Sequence, residues 1–406
     1  MAAAVNIAHS DCMAGRPLAT PKQSCFYKMY SVILTLNTFT VLVTITADVL
    51  LHADSVEHIM ENFRVIFPLL SAMWVQLSMS FQMRATEHMM VLAAAFTWED
   101  LQKKTRPDVR FKMTNLLSLI KPATLRILII FFGCHICYIS LRLGLGDNHP
   151  LSINAYYGLN TSNSPLYEIV NASQFLMAAN CFPIFFVYTS LYVFLVTIAC
   201  SQLEKLTASL LDIRQKTDTS EQDSHAEIDH EGEQGQVCTP QDVFCRMQKR
   251  LNDCIRHHQE ILRFMNALEE AMNPVLMGQF LLILTGMCFA AFSFAMSFGN
   301  ALNMTQSTMG YGAFLVQLYA YCWFGSELTR LAVGVRDAAW GCDWVGTPAT
   351  FSRCLVFVIA AASKEFTLTA GKFVPVSRTT MLNVINQTIS YLMFLMQVKD
   401  KNTTGE

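Results

Sequence analysis

Long apolar runs separated by short polar ones organise this chain. Tyr27 to Leu51, Phe63 to Met83, Leu125 to Leu145, Gln174 to Cys200, Val275 to Phe298 and Gly310 to Phe324 stand out as six candidate spans, the last continuing past Arg330. A bilayer core of about 30 Å needs about 20 largely apolar helical residues. VLAAAF, Val91 to Phe96, is too short to cross. So is CLVFVIAAA, Cys354 to Ala362, which stands just before Lys364 and Glu365 and is expected as a half-buried helix at the cytosolic mouth. A seventh span, RTTMLNVINQTISYLMFLMQV from Arg378 to Val398, has a different pattern. Thr379, Asn383, Asn386, Ser390 and Gln397 recur at steps of four, three, four and seven, so a helix places them on one face. Met381, Val384, Ile385, Ile389, Leu392 and Met396 form the other face. A spanning helix of this kind needs something other than lipid on its polar side.

The distribution of lysine and arginine orients the spans, because short translocated loops exclude positive charge. Neither residue occurs between Lys28 and Arg64, between Arg142 and Lys205, or between Arg263 and Arg330. The alternate connections are basic: one carries Arg84, Lys103, Lys104, Arg106, Arg110, Lys112 and Lys121, and another Lys205, Arg214, Lys216, Arg246, Lys249, Arg250, Arg256 and Arg263. The N-terminus is therefore expected in the cytosol and the C-terminus outside, with Lys399 and Lys401 of the tail partly balanced by Asp400 and Glu406. Asn-x-Ser/Thr acceptors at Asn160, Asn171 and Asn303 fall in expected outer loops, and Asn402 in the outer tail. Asn386 also fits the pattern but lies within the last span.

Composition narrows the function classes. Of 406 residues, 52% are hydrophobic and 15% charged, against roughly 25% charged in soluble domains, which places the chain in the membrane class. A net charge of -2, without zinc-finger or phosphate-loop spacing, gives no case for nucleic-acid binding. The segment MAAAVNIAHSDCMAGRPLATPKQ lacks the pattern of a secretory signal. The thirteen cysteines fall in spans or expected cytosolic segments, so no extracellular disulfide framework is expected. Beyond the fourth span Leu203, Leu206, Leu210 and Ile213 continue a helical stripe. Phe244, Met247, Leu251, Cys254, His258, Ile261, Met265, Leu268 and Met272 form a second, so helices four and five should project into the cytosol and pack there. The acidic stretch TDTSEQDSHAEIDHEGEQGQ between them is expected as a mobile loop. Cys254, His257 and His258 invite a metal reading, but two of the three face different ways and no second ligand pair stands at metal spacing. The pattern contains no convincing catalytic constellation, and no enzyme or cofactor is expected.

LTAGKFVPVS, Leu368 to Ser377, followed by a helix ending SYLMFLMQV, resembles the C-terminal region of insect odorant receptors. The related gustatory receptors carry Thr-Tyr, five mostly apolar residues and Gln-Phe. Here Ser390-Tyr391 is followed after five residues by Gln397-Val398, which favours the odorant branch. The resemblance implies an all-α membrane protein with seven transmembrane helices, an inside N-terminus and a cytosolic helical anchor domain. It also implies a tetrameric, odorant-gated, nonselective cation channel in the plasma membrane of olfactory sensory neurons, assembled from this tuning subunit and a co-receptor. The expected divisions are a cytosolic segment 1–26, four spans with the odorant-binding region 27–200, cytosolic extensions 201–274 and helices five and six 275–350. An anchor helix 351–374, a pore helix 375–398 and an outer tail 399–406 complete the chain.

On this resemblance Thr379, Asn383, Asn386 and Ser390 would line water, Phe394 and Val398 would form the hydrophobic gate, and Gln397 would lie near the outer constriction. Spacing agrees in one respect: Phe394 follows Ser390 by four residues and interrupts the polar stripe with an apolar group, which can shut a pore by dewetting. The alternative is packing of Phe394 against a neighbouring helix. For the odorant, depth and helical spacing nominate Phe67, Leu70, Ser71 and Trp74 on helix two, Tyr138 on helix three, Phe182 on helix four and Tyr319 on helix six. Ordinary packing is the competing role for each. A gustatory-type receptor is one rival. A G-protein-coupled receptor would reverse the charge map, and a secondary transporter would show paired interrupted helices, of which the sequence has none.

Overall fold

The computed structural model describes residues 21–52, 56–96, 112–145, 151–159, 163–213, 240–297 and 301–404. The N-terminal segment, Asn160 and the acidic loop before Pro240 lie outside the described residues. Nine helices occur among the described residues: α1 (Pro21–Leu51), α2 (Val56–Phe81), α3 (Met83–Ala94), α4 (Lys112–Leu145), α5 (Leu166–Leu211), α6 (Pro240–Met296), α7 (Ala301–Gly341), α8 (Ala349–Ala362) and α9 (Arg378–Thr404). A two-stranded antiparallel hairpin, β1 (Thr369–Ala370) and β2 (Val374–Pro375), precedes α9. Among the described residues five helices, α1, α2, α4, α5 and α6, are long and apolar enough to cross a membrane. α7 and α9 carry the polar positions that dilute the apolar signal.

Helices outrun the apolar runs that announce them. α6 has 57 residues and α5 has 46. At about 1.5 Å per residue α6 is roughly 85 Å long, far more than the membrane core. Both run without a break through the expected boundaries at 200 and 274. Apolar stripes carry them beyond the bilayer: Leu203, Leu206, Leu210 and Ile213 are buried, as are Met247, Leu251, Cys254, His258, Ile261, Met265, Leu268 and Met272. α3, which contains most of VLAAAF, lies against α6, and Phe96 packs edge-on to Phe264 at 5.5 Å. α8 packs on α7 and α6 with Phe351, Leu355, Val358 and Ala362 inward.

The LTAGK stretch has a physical explanation. Gly371 (φ +64) and Lys372 (φ 62) make the tight left-handed turn of the hairpin. A Cβ on Gly371 would also stand 2.8 Å from the Met277 sulfur of α6. Two α6 side chains hold the hairpin. The Glu269 carboxylate accepts from the Thr369 amide at 3.0 Å and from its hydroxyl. The Asn273 amide donates to the Thr369 carbonyl at 2.9 Å. Val376 then returns its N–H to the Leu368 carbonyl at 2.8 Å. Ser377 caps α9, its hydroxyl accepting from the Thr380 N–H at 3.2 Å.

The cytosolic seam contains a titratable probe. His257 packs edge-on against Phe96 with ring centroids 6.0 Å apart. Burial first, then the nearby Lys205 and His258, push its pKa down from 6.5 to about 4. Burial lowers His258 as well. Between those two values the unfolded chain binds a proton that the folded chain refuses, so this contribution to stability is complete above 6.5 and diminishes as pH falls toward 4. Thermal scans of the detergent-solubilised chain should show a midpoint that drops between pH 7 and 5. The drop should be shallower in His257→Leu, and equal slopes in the two proteins would contradict the assignment.

Candidate functional site

A partly open cavity of about 120 Å³ lies between α2, α4, α5 and α7. Each helix contributes one face: Arg64, Val65, Pro68 and Leu69 from α2, Phe131 and His135 from α4, and Met177, Ala178, Cys181, Phe182, Phe185 and Phe186 from α5. Gln306, Met309, Gly310, Ala313 and Phe314 supply the α7 wall. Ile153, in the loop after α4, closes one side. The lining is rich in rings that touch one another: Phe131–Phe186 at 5.0 Å, Phe185–Phe186 at 5.2 Å, Phe185–Phe314 at 5.8 Å and His135–Phe182 at 5.0 Å.

Polar side chains fasten the end of the cavity that the charge pattern assigns to the outside. The Gln174 side chain accepts from the Ile153 N–H at 2.9 Å and donates to the Ile153 carbonyl at 3.0 Å. The Asn171 oxygen accepts from the Ser152 N–H at 2.9 Å and its hydroxyl at 2.6 Å. The loop segment is thus stapled to α5. Arg142 reaches the Tyr138 hydroxyl and Asn154, and Asn154 donates to Glu61 at 3.0 Å. Glu61 also accepts from Asn303 at 2.5 Å and lies 3.7 Å from Arg64. Arg64 donates to the Asn303 carbonyl at 2.7 Å and the Ser307 hydroxyl at 3.0 Å.

On the other side of Phe185 and Phe314 lies a second buried network. Ser71 donates to the Gln279 side-chain oxygen Oε1 at 2.8 Å, and the Gln279 side-chain amide donates back to the Ser71 backbone carbonyl at 2.9 Å. Gln317 donates to Gln279, to Thr189 and to the Tyr321 hydroxyl, the last at 3.0 Å. Tyr192 then donates to the Tyr321 carbonyl at 3.1 Å. One turn further along α7, Gly325 lets the chain before α9 approach: a Cβ there would stand 2.5 Å from the Val376 carbonyl oxygen and 3.3 Å from the Tyr192 hydroxyl. Ser326 accepts from the Arg378 N–H at 2.8 Å. Packed side chains therefore run continuously from the cavity to the first turn of α9.

The nominated residues divide in the structure. Phe182 lines the cavity. Phe67, Leu70, Ser71 and Trp74 lie outside its lining, on the face of α2 that meets α6. There Phe67 stacks on Phe289 at 5.0 Å, and Trp74 lies against Gly278 and donates to the Val275 carbonyl at 3.0 Å. Leu70 is half-buried in the same core. Tyr138 is buried against the outer network, and Tyr319 is half exposed beside Trp323. Arg64, His135, Gln174 and Gln317 were not nominated, although each is a polar residue in or beside an apolar run. Asn171 and Asn303 are not loop residues: the helices start earlier than the apolar runs, and both amides sit in helices with hydrogen-bond roles. Asn402 falls in the extended end of α9, and its side chain lies outside the described residues.

On α9 the nominated stripe is turned away from the protomer's core. Thr379, Asn383, Asn386, Ser390, Phe394 and Gln397 are exposed, while Thr380, Val384 and Thr388 are buried on the side facing α6 and α7. The Val398 side chain lies outside the described residues.

These features define a helical membrane protein with an apolar cavity between its helices and a polar-faced terminal helix. Residues 55–389 match the family model described as 7tm Odorant receptor, and the chain belongs to that family. It is 21% identical to Odorant receptor Or2 of Anopheles gambiae over 66% of this chain and 65% of that one. It is 23% identical to Odorant receptor 2a of Drosophila melanogaster over 37% of this chain and 38% of that one. The Odorant receptor coreceptor of Anopheles gambiae is 24% identical over 36% of this chain and 30% of its own length. The chain thus spans less than two thirds of the length of these relatives. The structure of the insect olfactory receptor OR5 from Machilis hrabei in complex with eugenol superposes over 97% of both chains with a TM-score of 0.75 at 14% identity. The same receptor without that ligand named gives 0.71. The fold is therefore the seven-helix fold of that receptor.

The close approach at Gly325 makes a direct test of the cavity-to-α9 connection. Gly325→Ala should lower the thermal midpoint by the equivalent of about 1–3 kcal/mol of overpacking. Gly334→Ala, with nothing within 4 Å of its added Cβ, should be neutral or slightly stabilising. Equal midpoints for the two variants would show that the α7–Val376 contact yields freely.

Proposed function

We propose that the chain is the odorant-binding subunit of a ligand-gated, nonselective cation channel in the plasma membrane of olfactory sensory neurons. It assembles with a co-receptor subunit, as a tetramer, through its cytosolic helices. The observation that carries this reading is α9 itself. A spanning helix that leaves Thr379, Asn383, Asn386 and Ser390 exposed on the protomer surface needs water or a partner along that side. A lumen shared between subunits supplies both. The cavity gives a small volatile molecule its site, in keeping with the eugenol complex of the related Machilis hrabei receptor. The likeness to a co-receptor from Anopheles gambiae supports the assembly.

In this mechanism ligand binding shifts α7 against α5, and the Gln317–Tyr321 network passes the shift to Gly325 and the base of α9. Phe394 forms the closing constriction, with Val398 and Gln397 beyond it. An apolar ring at that position excludes water and hence ions until the helices separate.

Co-expressed with a co-receptor, the chain should confer volatile-evoked cation current that persists when G proteins are blocked. Loss of the current under that block would defeat the channel reading. In the same cells Phe394→Ala should raise basal conductance or alter ion permeation, read by patch clamp. Unchanged basal current and selectivity would remove Phe394 from the gate.

A further inference from the structure

Among the polar side chains that line the cavity, His135 stands apart. It is only 7% exposed, and its Nε2 atom has no hydrogen-bond partner among the described residues. It lies on the α4 wall beside the Phe182 ring, in an otherwise largely apolar lining. A buried polar atom without a bond is costly, and proteins usually satisfy such atoms with side chains, backbone or bound molecules. The other buried polar lining residue, Arg64, is already engaged by the Asn303 carbonyl and Ser307, and the Glu61 carboxylate offsets its charge.

We propose that the cavity takes a small, neutral, ring-bearing molecule with one hydrogen-bonding oxygen, and that His135 binds that oxygen. The inference rests on the cavity being the odorant site. Size sets the ring: about 120 Å³ is close to the roughly 150 Å³ apolar cavity that holds benzene. The surrounding phenylalanines offer edge and face contacts to an aromatic guest. Chemistry sets the oxygen, because an imidazole nitrogen accepts from a hydroxyl in one tautomer and donates to a carbonyl or ether in the other. Charge sets neutrality, because Arg64 is already paired and a carboxylate would lose its hydration without gaining an unpaired cation. An alcohol, phenol, aldehyde or ketone on a single ring meets all three conditions.

Matched volatiles test this: toluene against benzyl alcohol and benzaldehyde, with benzoate as the anion, applied to cells co-expressing the chain and a co-receptor. The wild-type receptor should respond to the oxygenated members at concentrations about tenfold lower than toluene, equivalent to about 1.4 kcal/mol, and benzoate should be inactive. In His135→Phe the ratio should fall to near one, whereas His135→Gln, which restores a hydrogen-bonding side chain, should retain a preference. If neither variant reaches the cell surface, the wild-type ratio decides. A wild-type ratio near one, an unchanged ratio in His135→Phe, or benzoate as the strongest agonist would overturn the proposal. So would silence toward every ring compound in cells that answer other volatiles. Silence toward all volatiles, with surface expression confirmed, would instead overturn the odorant-channel reading on which it rests.

Discussion

Inside a bilayer each polar side chain must find its partner within the protein, because lipid offers none. That constraint organises the molecule. At one end of the cavity, the Glu61–Arg64–Asn303 cluster ties α2 to α7, and Gln174 holds the Ile153 segment on α5. Toward the other end, Ser71, Gln279, Gln317 and Tyr321 tie α2, α6 and α7 together around one buried amide pair. Several buried side-chain atoms among the described residues depart from this pattern, the Gln317 oxygen included, and two places bear on the proposed sites. One is His135 Nε2 in the cavity wall, and the other is the exposed polar stripe of α9. Both the proposed ligand site and the proposed ion path lie where polarity is left for something outside the protomer to satisfy.

The same constraint explains why the terminal helix can carry so much polarity and still be held. α9 does not depend on its own apolar face alone. Its entry is fixed by Glu269 and Asn273 gripping Thr369, by the capping Ser377, and by Ser326 accepting the Arg378 N–H. The Glu269 bonds are part-buried, and hydrogen bonds to a charged group are among the stronger ones, typically about 1.5–3 kcal/mol each. Directional bonds at the base leave the shaft free to present one side to α6 and α7 and the other outward.

Much of this architecture was legible in the hydropathy pattern, and the parts that were not share a cause. Apolar runs locate membrane crossings, so α1, α2, α4, α5 and α6 are apparent, and the stripes from Leu203 and from Phe244 announce the long cytosolic extensions. Helix ends are less visible, because helix persists wherever packing or a cap supports it. That is why Asn171 and Asn303 read as loop residues yet sit in α5 and α7. The choice of face on α2 was harder still. Phe67, Leu70, Ser71 and Trp74 make one helical stripe, and Arg64, Val65, Pro68 and Leu69 make another. Both are mostly apolar because α2 has protein on two sides. Periodicity reports that a face is buried, not which neighbour buries it. Gln279 and Gln317 carry a stronger signal: a lone amide in an apolar run has to be bonded, and the bond must reach another helix or a ligand.

The two anchors of α9 lie on different helices, and the proposed mechanism uses this difference for transmission. Glu269 and Asn273 belong to α6, whereas Gly325 and Ser326 belong to α7. In the proposed mechanism a displacement of α7 relative to α6 changes the spacing between the anchors, and α9 tilts about its capped first turn. α7 also forms a cavity wall through Met309, Ala313 and Phe314. A guest that wedges Phe314 from Phe185 pushes on the helix whose next turns carry Gln317 and Tyr321, while α6 stays tied to α2 through Gln279 and Ser71. Relative motion of two packed helices under an asymmetric load is a shear, and shear between close-packed elements moves between discrete arrangements instead of yielding continuously. Gly325 brings α7 against the Val376 backbone, so the helix that forms one cavity wall also packs on the base of the terminal helix.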